Sequence, residues 1–140
     1  CLRKVNMDIK KEKVLCQKQW AKNKYLVLSY SSKIYLEIRT YLKQEEVSLE
    51  EVDKLIKQAI NLPEDKGQVT NALHHVWGYF KKSATKEEKD NFFEMIEDYH
   101  INKTTKEDLI EEVKKLLKKY PNTYLEQSTF INGGKDETLA

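Results

Sequence analysis

The sequence predicts an all-α protein, a compact single-domain bundle of about six amphipathic helices over residues 1–140. Apolar residues recur three and four positions apart in most segments, which places them on one face of a helix. Three Ser or Thr residues are each followed three positions later by Glu, the capping-box pattern of a helix start. The 140 residues contain only four Gly and two Pro, too few turn-forming residues for a sandwich of many short strands.

The N-terminal third predicts two helices that are separated by serines. The first helix runs from about residue 8 to about residue 28, and Ser29, Ser31 and Ser32 interrupt it. The second helix carries apolar side chains along one side between residues 34 and 42. Residues 1–7 precede the helical pattern, and residues 133–140 are polar and contain two glycines. Both ends are therefore expected to be flexible.

Capping boxes predict the starts of three further helices. The pairs are Ser48 with Glu51, Thr85 with Glu88, and Thr104 with Glu107. An apolar stripe follows each pair, and Pro121 ends the last of these helices. Pro63 and Gly67 mark a connection. After this connection another helix is predicted from about residue 68 to about residue 82.

The helix predicted over residues 68–82 carries an unusual polar strip. At about 100° per residue, its buried side consists of Val69, Leu73, Val76 and Phe80. A neighbouring strip beside Tyr79 contains Asn71, His75, Gly78 and Lys82. A glycine inside a helix costs about 1 kcal/mol relative to alanine. Gly78 therefore predicts the close approach of another backbone or of a ligand.

Two interpretations of this strip remain open. In the first, the strip is the edge of a pocket: Asn71 and His75 supply hydrogen bonds, Tyr79 supplies an aromatic wall, and Gly78 leaves room. In the second, Gly78 lets another helix pack closely, and His75 forms a hydrogen bond with a carbonyl at the margin of the core.

No complete catalytic or metal-binding motif is visible in the sequence. His74 and His75 are adjacent, so on a helix they point about 100° apart and cannot chelate one ion as an i,i+4 pair does. Cys1 and Cys16 form no CxxC pair, and we interpret them as reduced thiols. We therefore predict no metal and no cofactor. Catalytic residues stay unassigned, and an enzyme that uses His75 as a general base is the third functional hypothesis.

The charge distribution bears on the partners. The formal net charge is +2, and only Arg3 and Arg39 are arginines, so arginine-based reading of DNA sequence is not predicted. Tyr79 and Phe80 precede two lysines, which keeps open a nucleic-acid-associated protein that stacks on single-stranded bases. The sequence shows no apolar run of membrane-spanning length and no signal-peptide pattern. We therefore expect a cytoplasmic protein without membrane contact; the sequence does not indicate the oligomeric state.

Three motifs in order resemble those of a known family. They are NALHHVWGYFK at residues 71–81, KYLVLSYS at residues 24–31 with Tyr35 following, and PNTYLEQSTF at residues 121–130. Together they resemble the YbgA-like family, a bacterial domain of unknown function, over about residues 20–132. The sequence departs from the family pattern at Tyr30, where relatives carry a histidine. It also departs at residues 131–134, where relatives carry a proline-containing "PxP".

The resemblance implies which positions contact a ligand or partner. These positions are Lys24, Tyr25, Ser31, Tyr35, Asn71, His75, Gly78, Tyr79, Lys81, Tyr124 and Gln127. In many relatives the domain is fused to a cysteine-rich domain similar to iron–sulfur thiouracil desulfidases. The resemblance therefore implies a noncatalytic accessory module that binds a small-molecule ligand or a partner such as a cysteine-rich iron–sulfur protein.

Overall fold

A computed structural model describes the backbone of residues 2–134 and the side chains of residues 5–134, and this part of the chain contains eight α-helices and no strand. Six helices have ten residues or more, and two are single turns. The helices are α1 Leu2–Tyr30, α2 Ser32–Tyr41, α3 Leu49–Ile60, α4 Lys66–Trp77, α5 Lys86–His100, α6 Lys106–Lys119, α7 Thr123–Glu126 and α8 Thr129–Asn132. The all-α prediction is confirmed. Within the described residues, no helix combines the length and the apolar composition that crossing a bilayer demands.

Helix α1 is longer at both ends than the segment predicted at residues 8–28. It continues through Ser29, whose hydroxyl donates to the Leu26 carbonyl of its own helix, 2.6 Å away, and so is satisfied inside the helix. It ends before Ser31, whose extended backbone and hydroxyl cap α2 by accepting from the Ile34 N–H at 3.0 Å. Residues 2–7 lie in α1, whereas residues 1 and 135–140 lie outside the described part; the flexibility expected of both ends stays a prediction.

One of the three predicted helix starts is wrong by one residue. The Thr85 box forms as predicted, with both reciprocal hydrogen bonds, and Ser48 caps α3. The predicted pair of Thr104 with Glu107 does not form; instead Thr105 caps α6 in a box with Asp108. In this register the Asp108 carboxylate accepts from the Thr104 hydroxyl at 2.8 Å and from the Thr105 N–H at 3.4 Å. One carboxylate thus satisfies two donors, which favours the later start.

Helix α4 ends at Trp77, five residues before the predicted end at residue 82. After Trp77 the backbone tightens into i→i+3 hydrogen bonds, such as Tyr79 N–H to the Val76 carbonyl at 3.0 Å. Gly78 is therefore the C-cap, and its prediction as an interior helical glycine is wrong. A Cβ at Gly78 would lie 3.1 Å from the His75 carbonyl oxygen. Glycine therefore relieves crowding within the chain's own turn.

The core is formed by two clusters on opposite sides of α1. The larger cluster joins α1 to α4, α5, α6 and the C-terminal turns, and the smaller joins α1 to α2 and α3. Tyr25 and Leu28 of α1 belong to the larger cluster, whereas Cys16 and Val27 belong to the smaller. The buried side predicted for α4 is confirmed, since Val69, Leu73, Val76 and Phe80 are all buried. Because both cores depend on α1, this helix positions the residues of the site.

Candidate functional site

Four side chains from three distant segments meet beside the C-terminal half of α1. They are Lys24 and Tyr25 of α1, Tyr79 of the turn after α4, and Tyr124 of α7. We call these four residues the Lys24 cluster. All four are among the positions implied by the family resemblance. The fold therefore brings together one residue or more from each of the three motifs.

The tyrosines of the Lys24 cluster form a continuous aromatic group. The hydroxyl oxygens of Tyr25 and Tyr79 lie 2.8 Å apart and share a hydrogen bond. Their rings meet edge to face, with centroids 6.0 Å apart. The Tyr79 ring then stacks on the Tyr124 ring at 6.0 Å and an interplanar angle of 13°. Such geometries are the favourable arrangements for aromatic pairs, so Tyr79 is fixed from both sides.

Lys24 places an ammonium group against this aromatic surface. Its Nζ lies 5.3 Å from the Tyr25 ring centroid and 5.2 Å from the Tyr124 ring centroid, both within cation–π range. Partial burial lowers the pKa of Lys24, but a hydrogen bond with Tyr124 and the neighbouring phenols outweigh burial, so the pKa is raised above its usual value. Lys24 therefore remains protonated at neutral pH.

Tyr25 is the buried floor of the cluster. Burial raises the pKa of its phenol, and the hydrogen bond with Tyr79 raises it further. Tyr79, Tyr124 and Lys24 are only partly buried, and they form the accessible rim. The cluster thus presents the Lys24 ammonium and two tyrosine hydroxyls at its rim, above a buried tyrosine.

Side-chain hydrogen bonds and a buried leucine hold α7 and α8 against α1, and this packing places Tyr124 beside Lys24. The Thr129 hydroxyl lies 2.7 Å from the Asn23 side-chain oxygen and donates to it. Asn23 in turn donates to the Gln19 carbonyl at 2.8 Å. Leu125 is fully buried and anchors α7 in the core. Asn23 and Thr129 could not be predicted as partners from local spacing, because they lie 106 positions apart.

Two further candidates lie at the junction of α1 and α2. Ser31 caps α2, and Tyr35 packs on Trp20 with ring centroids 5.2 Å apart. Tyr35 also contributes to the electrostatic surroundings of Lys24 and Tyr25. Gln68 was missed by the sequence analysis: its side-chain oxygen accepts from the Ser32 N–H at 2.7 Å and ties α2 to α4. A lone glutamine in a helix gives no signal of such a contact.

The side chains of the remaining candidates form no described contact with the Lys24 cluster; Gln127 reaches it only through its backbone N–H, which donates to the Tyr124 carbonyl at 3.2 Å. Asn71, His75, Gly78, Lys81 and Gln127 are exposed. Among the described side chains, neither Asn71 nor His75 forms a hydrogen bond, so the expected bond from His75 to a carbonyl is absent. No carboxylate in the described residues orients His75 as a general base would require. No residue of the strip expected on α4 belongs to the Lys24 cluster; only Tyr79, which was expected beside the strip, does.

The histidines and the described cysteine also have separate surroundings. His74 packs edge-on against Phe93 with centroids 5.2 Å apart, and His100 hydrogen-bonds Thr70 at 2.9 Å. Cys16 is buried, and burial followed by nearby acidic groups raises the pKa of its thiol. In residues 5–134 no three His, Cys, Asp or Glu side chains are grouped to hold a metal ion.

A wide groove on the described surface is lined by none of the candidate residues. It has a volume of about 1060 Å³ and runs along α3 between Tyr41 and Asn61. Its walls carry both acidic and basic side chains, including Glu50, Asp53 and Lys57. This mixed-charge surface shows no preference for one ligand charge. The Lys24 cluster therefore remains the best-defined chemical site.

The chain was compared with protein families, curated proteins and solved structures. The model of a family described as "Protein of unknown function (DUF1722)" matches residues 24–133. The match begins at Lys24 and includes Tyr25, Tyr79 and Tyr124. No curated protein and no solved structure matches the chain.

Proposed function

Because the chain belongs to the DUF1722 family of proteins of unknown function, we propose that it is a noncatalytic ligand-binding module whose site is the Lys24 cluster. The observation that carries this proposal is the convergence of three separate motifs on one half-buried lysine. Tyr79 and Tyr124 lie 55 and 100 positions after Lys24 in the sequence. Ligand sites combine an apolar wall with a few convergent polar groups, and the four residues supply both.

The protonation states of the cluster support binding rather than catalysis. General acid–base catalysis works best with a group whose pKa lies near the working pH. The pKa of Lys24 and the pKa of Tyr25 are both raised from values that already exceed neutrality. Neither group then abstracts a proton near pH 7. The cluster instead offers fixed donors and one positive charge.

The wider assignment rests on the resemblance of the three motifs. It supports placing the chain among bacterial YbgA-like domains, as one domain that acts in the cytoplasm. It also supports an accessory role beside a cysteine-rich iron–sulfur protein. A nucleic-acid-binding role is less well supported, because Phe80, one of the two aromatic residues expected to stack on bases, is buried in the core.

A thermal-shift screen tests the proposed function. The panel contains nucleobases, thiolated nucleobases, nucleosides, nucleotides and short oligonucleotides. A ligand at a hundredfold its dissociation constant adds about 2.7 kcal/mol to the free energy of unfolding, which raises the melting temperature by several degrees. We expect a shift with one small-molecule class that Tyr79→Phe and Tyr124→Ala both reduce.

The matched control is Tyr120→Phe, which removes a tyrosine hydroxyl whose hydrogen bond lies outside the Lys24 cluster. This hydroxyl donates to Glu88 at 2.6 Å. A small-molecule shift that survives Tyr79→Phe and Tyr124→Ala would place the site elsewhere. The absence of any small-molecule shift, or a shift with oligonucleotides alone, would overturn the proposed function.

A further inference from the structure

We propose that the Lys24 cluster recognises an oxyanion, a carboxylate or a phosphate group of the ligand, through the Lys24 ammonium and the Tyr79 and Tyr124 hydroxyls. This inference rests on the proposed function and adds the chemical class of the ligand. It follows from three features: which hydroxyl donates within the cluster, which positive charge has no carboxylate partner among the described residues, and which groups are accessible.

The first feature is the direction of the hydrogen bond between Tyr25 and Tyr79. Either hydroxyl can donate, and only one proton lies between the two oxygens. Tyr25 is 7% exposed, and in the described residues its hydroxyl has Tyr79 as its hydrogen-bond partner. If Tyr79 donated, the buried Tyr25 proton would be left without an acceptor, which is unfavourable because a buried donor loses its bond to water without replacing it. Tyr25 therefore donates, and the Tyr79 proton is free to point toward the accessible rim.

The second feature is the charge of Lys24. Within the described side chains, Lys24 forms no ion pair with a carboxylate, although it is partly buried against two tyrosine rings. Two other lysines that lie over tyrosine rings contact a glutamate instead: Lys106 pairs with Glu64 at 3.7 Å and Lys119 with Glu88 at 3.1 Å. Partly buried charges are stabilised by an opposite charge. The described residues supply no such negative charge beside Lys24, so in our proposal the ligand supplies it.

The third feature is that the accessible groups are all donors. A protonated lysine has three N–H donors and no acceptor. The Tyr79 hydroxyl oxygen already accepts from Tyr25, so its remaining capacity is mainly that of a donor. Tyr124 adds a hydroxyl beside the Lys24 ammonium. A ligand group that only accepts, and that carries negative charge, complements these donors better than a neutral amide or a hydroxyl group does.

Paired probes test the inference by isothermal titration calorimetry on the full chain. The pairs are uridine with uridine 5′-monophosphate and benzamide with benzoate, so each pair differs by one anionic group. Inorganic phosphate and acetate are titrated alone to show whether the anion is sufficient. We expect the anionic member of at least one pair to bind at least tenfold more tightly than its neutral partner, with the preferred pair distinguishing phosphate from carboxylate.

Three variants assign that preference to the cluster. Lys24→Met removes the charge and keeps an unbranched apolar chain, and it should reduce the preference for the anion to less than twofold. Lys24→Arg keeps the charge and should retain most of the preference. Lys119→Met removes a lysine that also lies over a tyrosine ring, and it should leave the preference unchanged. Circular dichroism and the melting temperature establish that each variant is folded.

The outcomes separate this inference from the proposed function. Equal binding of the neutral and anionic members, if Tyr79→Phe still weakened it, would overturn the oxyanion inference and would leave the proposed ligand-binding function intact. A preference for the anion that persists in folded Lys24→Met would also overturn it. Binding of none of the probes would overturn the oxyanion inference, whereas the proposed function would then be decided by the wider thermal-shift panel. Because the pKa of Lys24 is raised above its usual value, the preference should be constant between about pH 7.5 and about pH 9, where a phosphate monoester with a second pKa of about 6 is also fully ionised.

Discussion

The Lys24 cluster and the contact between α5 and α6 use the same side-chain types in different ways. At that contact, Glu88 accepts from Lys119 at 3.1 Å and from the Tyr120 hydroxyl at 2.6 Å, and we call these three residues the Glu88 cluster. Lys119 also lies over the Tyr120 ring at 5.5 Å, much as Lys24 lies over Tyr25. The difference is the carboxylate, which occupies the donors of one cluster and is absent from the other.

A third group follows the pattern of the Glu88 cluster. Glu64 accepts from the Tyr99 hydroxyl at 2.6 Å and pairs with Lys106 at 3.7 Å. Where a glutamate is present, the lysine and the tyrosine hydroxyl are satisfied inside the protein and hold helices together. At Lys24 the described residues provide no glutamate, and we propose that the same groups there bind a ligand. The comparison thus separates a structural use of these side chains from the proposed binding use.

The largest expected effect tests how much each cluster contributes to the free energy of unfolding. Tyr25→Ala should lower the free energy of unfolding by about 3–5 kcal/mol, as for other large aromatic residues replaced by alanine in a core. Tyr120→Ala should cost clearly less, because Tyr120 is only partly buried. Urea denaturation of both variants measures the difference. Equal losses would mean that the Lys24 cluster is no more integral to the core than the Glu88 cluster.

A smaller effect concerns the hydroxyl pair within the Lys24 cluster. Tyr79→Phe leaves the buried Tyr25 hydroxyl without an acceptor, so it should cost about 1–3 kcal/mol. Tyr25→Phe leaves a Tyr79 hydroxyl that reaches water, so it should cost only about 0.5–1.5 kcal/mol. The more exposed residue is therefore expected to give the larger loss in urea denaturation.

A double-mutant cycle on these two tyrosines sharpens this test. The double phenylalanine variant should cost less than the sum of the single variants, because the two hydroxyls share one hydrogen bond. Additive losses, or a larger loss for Tyr25→Phe, would contradict the assigned direction of that bond and with it the free donor of Tyr79.

The smallest expected effect is the pH dependence of the Glu88 cluster. The Thr85 N–H, the Tyr120 hydroxyl and Lys119 lower the pKa of Glu88 from 4.5 to about 2. A carboxylate with a lowered pKa stabilises the folded state above its unfolded pKa, and this contribution is lost as the pH falls through the folded value. Ionised Glu88 therefore stabilises the protein fully above about pH 4.5 and progressively less toward pH 2.

Glu88→Gln tests this dependence. The variant should melt at a lower temperature at pH 7, and its melting temperature should fall less than that of the wild type between about pH 4.5 and about pH 2. Lys24→Met is the comparison variant. It removes no acidic group, so its melting temperature should fall between about pH 4.5 and about pH 2 as much as that of the wild type. If Glu88→Gln followed the wild-type acid profile, Glu88 would not be the carboxylate that stabilises this contact.

The sequence predicted the helices well where the spacing of apolar residues indicates which face of a helix is buried. The stripe of Val69, Leu73 and Val76 is buried because residues three and four apart must share a face of any helix. Boundaries were less predictable. Thr104 and Thr105 both precede a carboxylate three residues later, and only the additional bond to Asp108 selects the second.

The sequence predicted which residues belong to the candidate site better than it predicted how those residues are arranged. Lys24, Tyr25, Tyr79 and Tyr124 were all identified from motifs. The strip of Asn71, His75 and Gly78 was expected beside Tyr79 because a helix to residue 82 would place His75 and Tyr79 one turn apart on the same side. The tightening of the backbone after Trp77 removes that alignment.

An all-α protein, the buried stripes of its helices and the motif residues of the candidate site could be predicted from the amino-acid sequence. The helices and stripes follow from local spacing, since a few dihedral angles per turn decide which side chains share a face. The meeting of Tyr79 and Tyr124 at Lys24, with no described carboxylate paired to it, became visible only in the folded chain. Contacts between segments 55 and 100 positions apart depend on how α1 packs against α4 and α8, and local spacing carries no information about that packing.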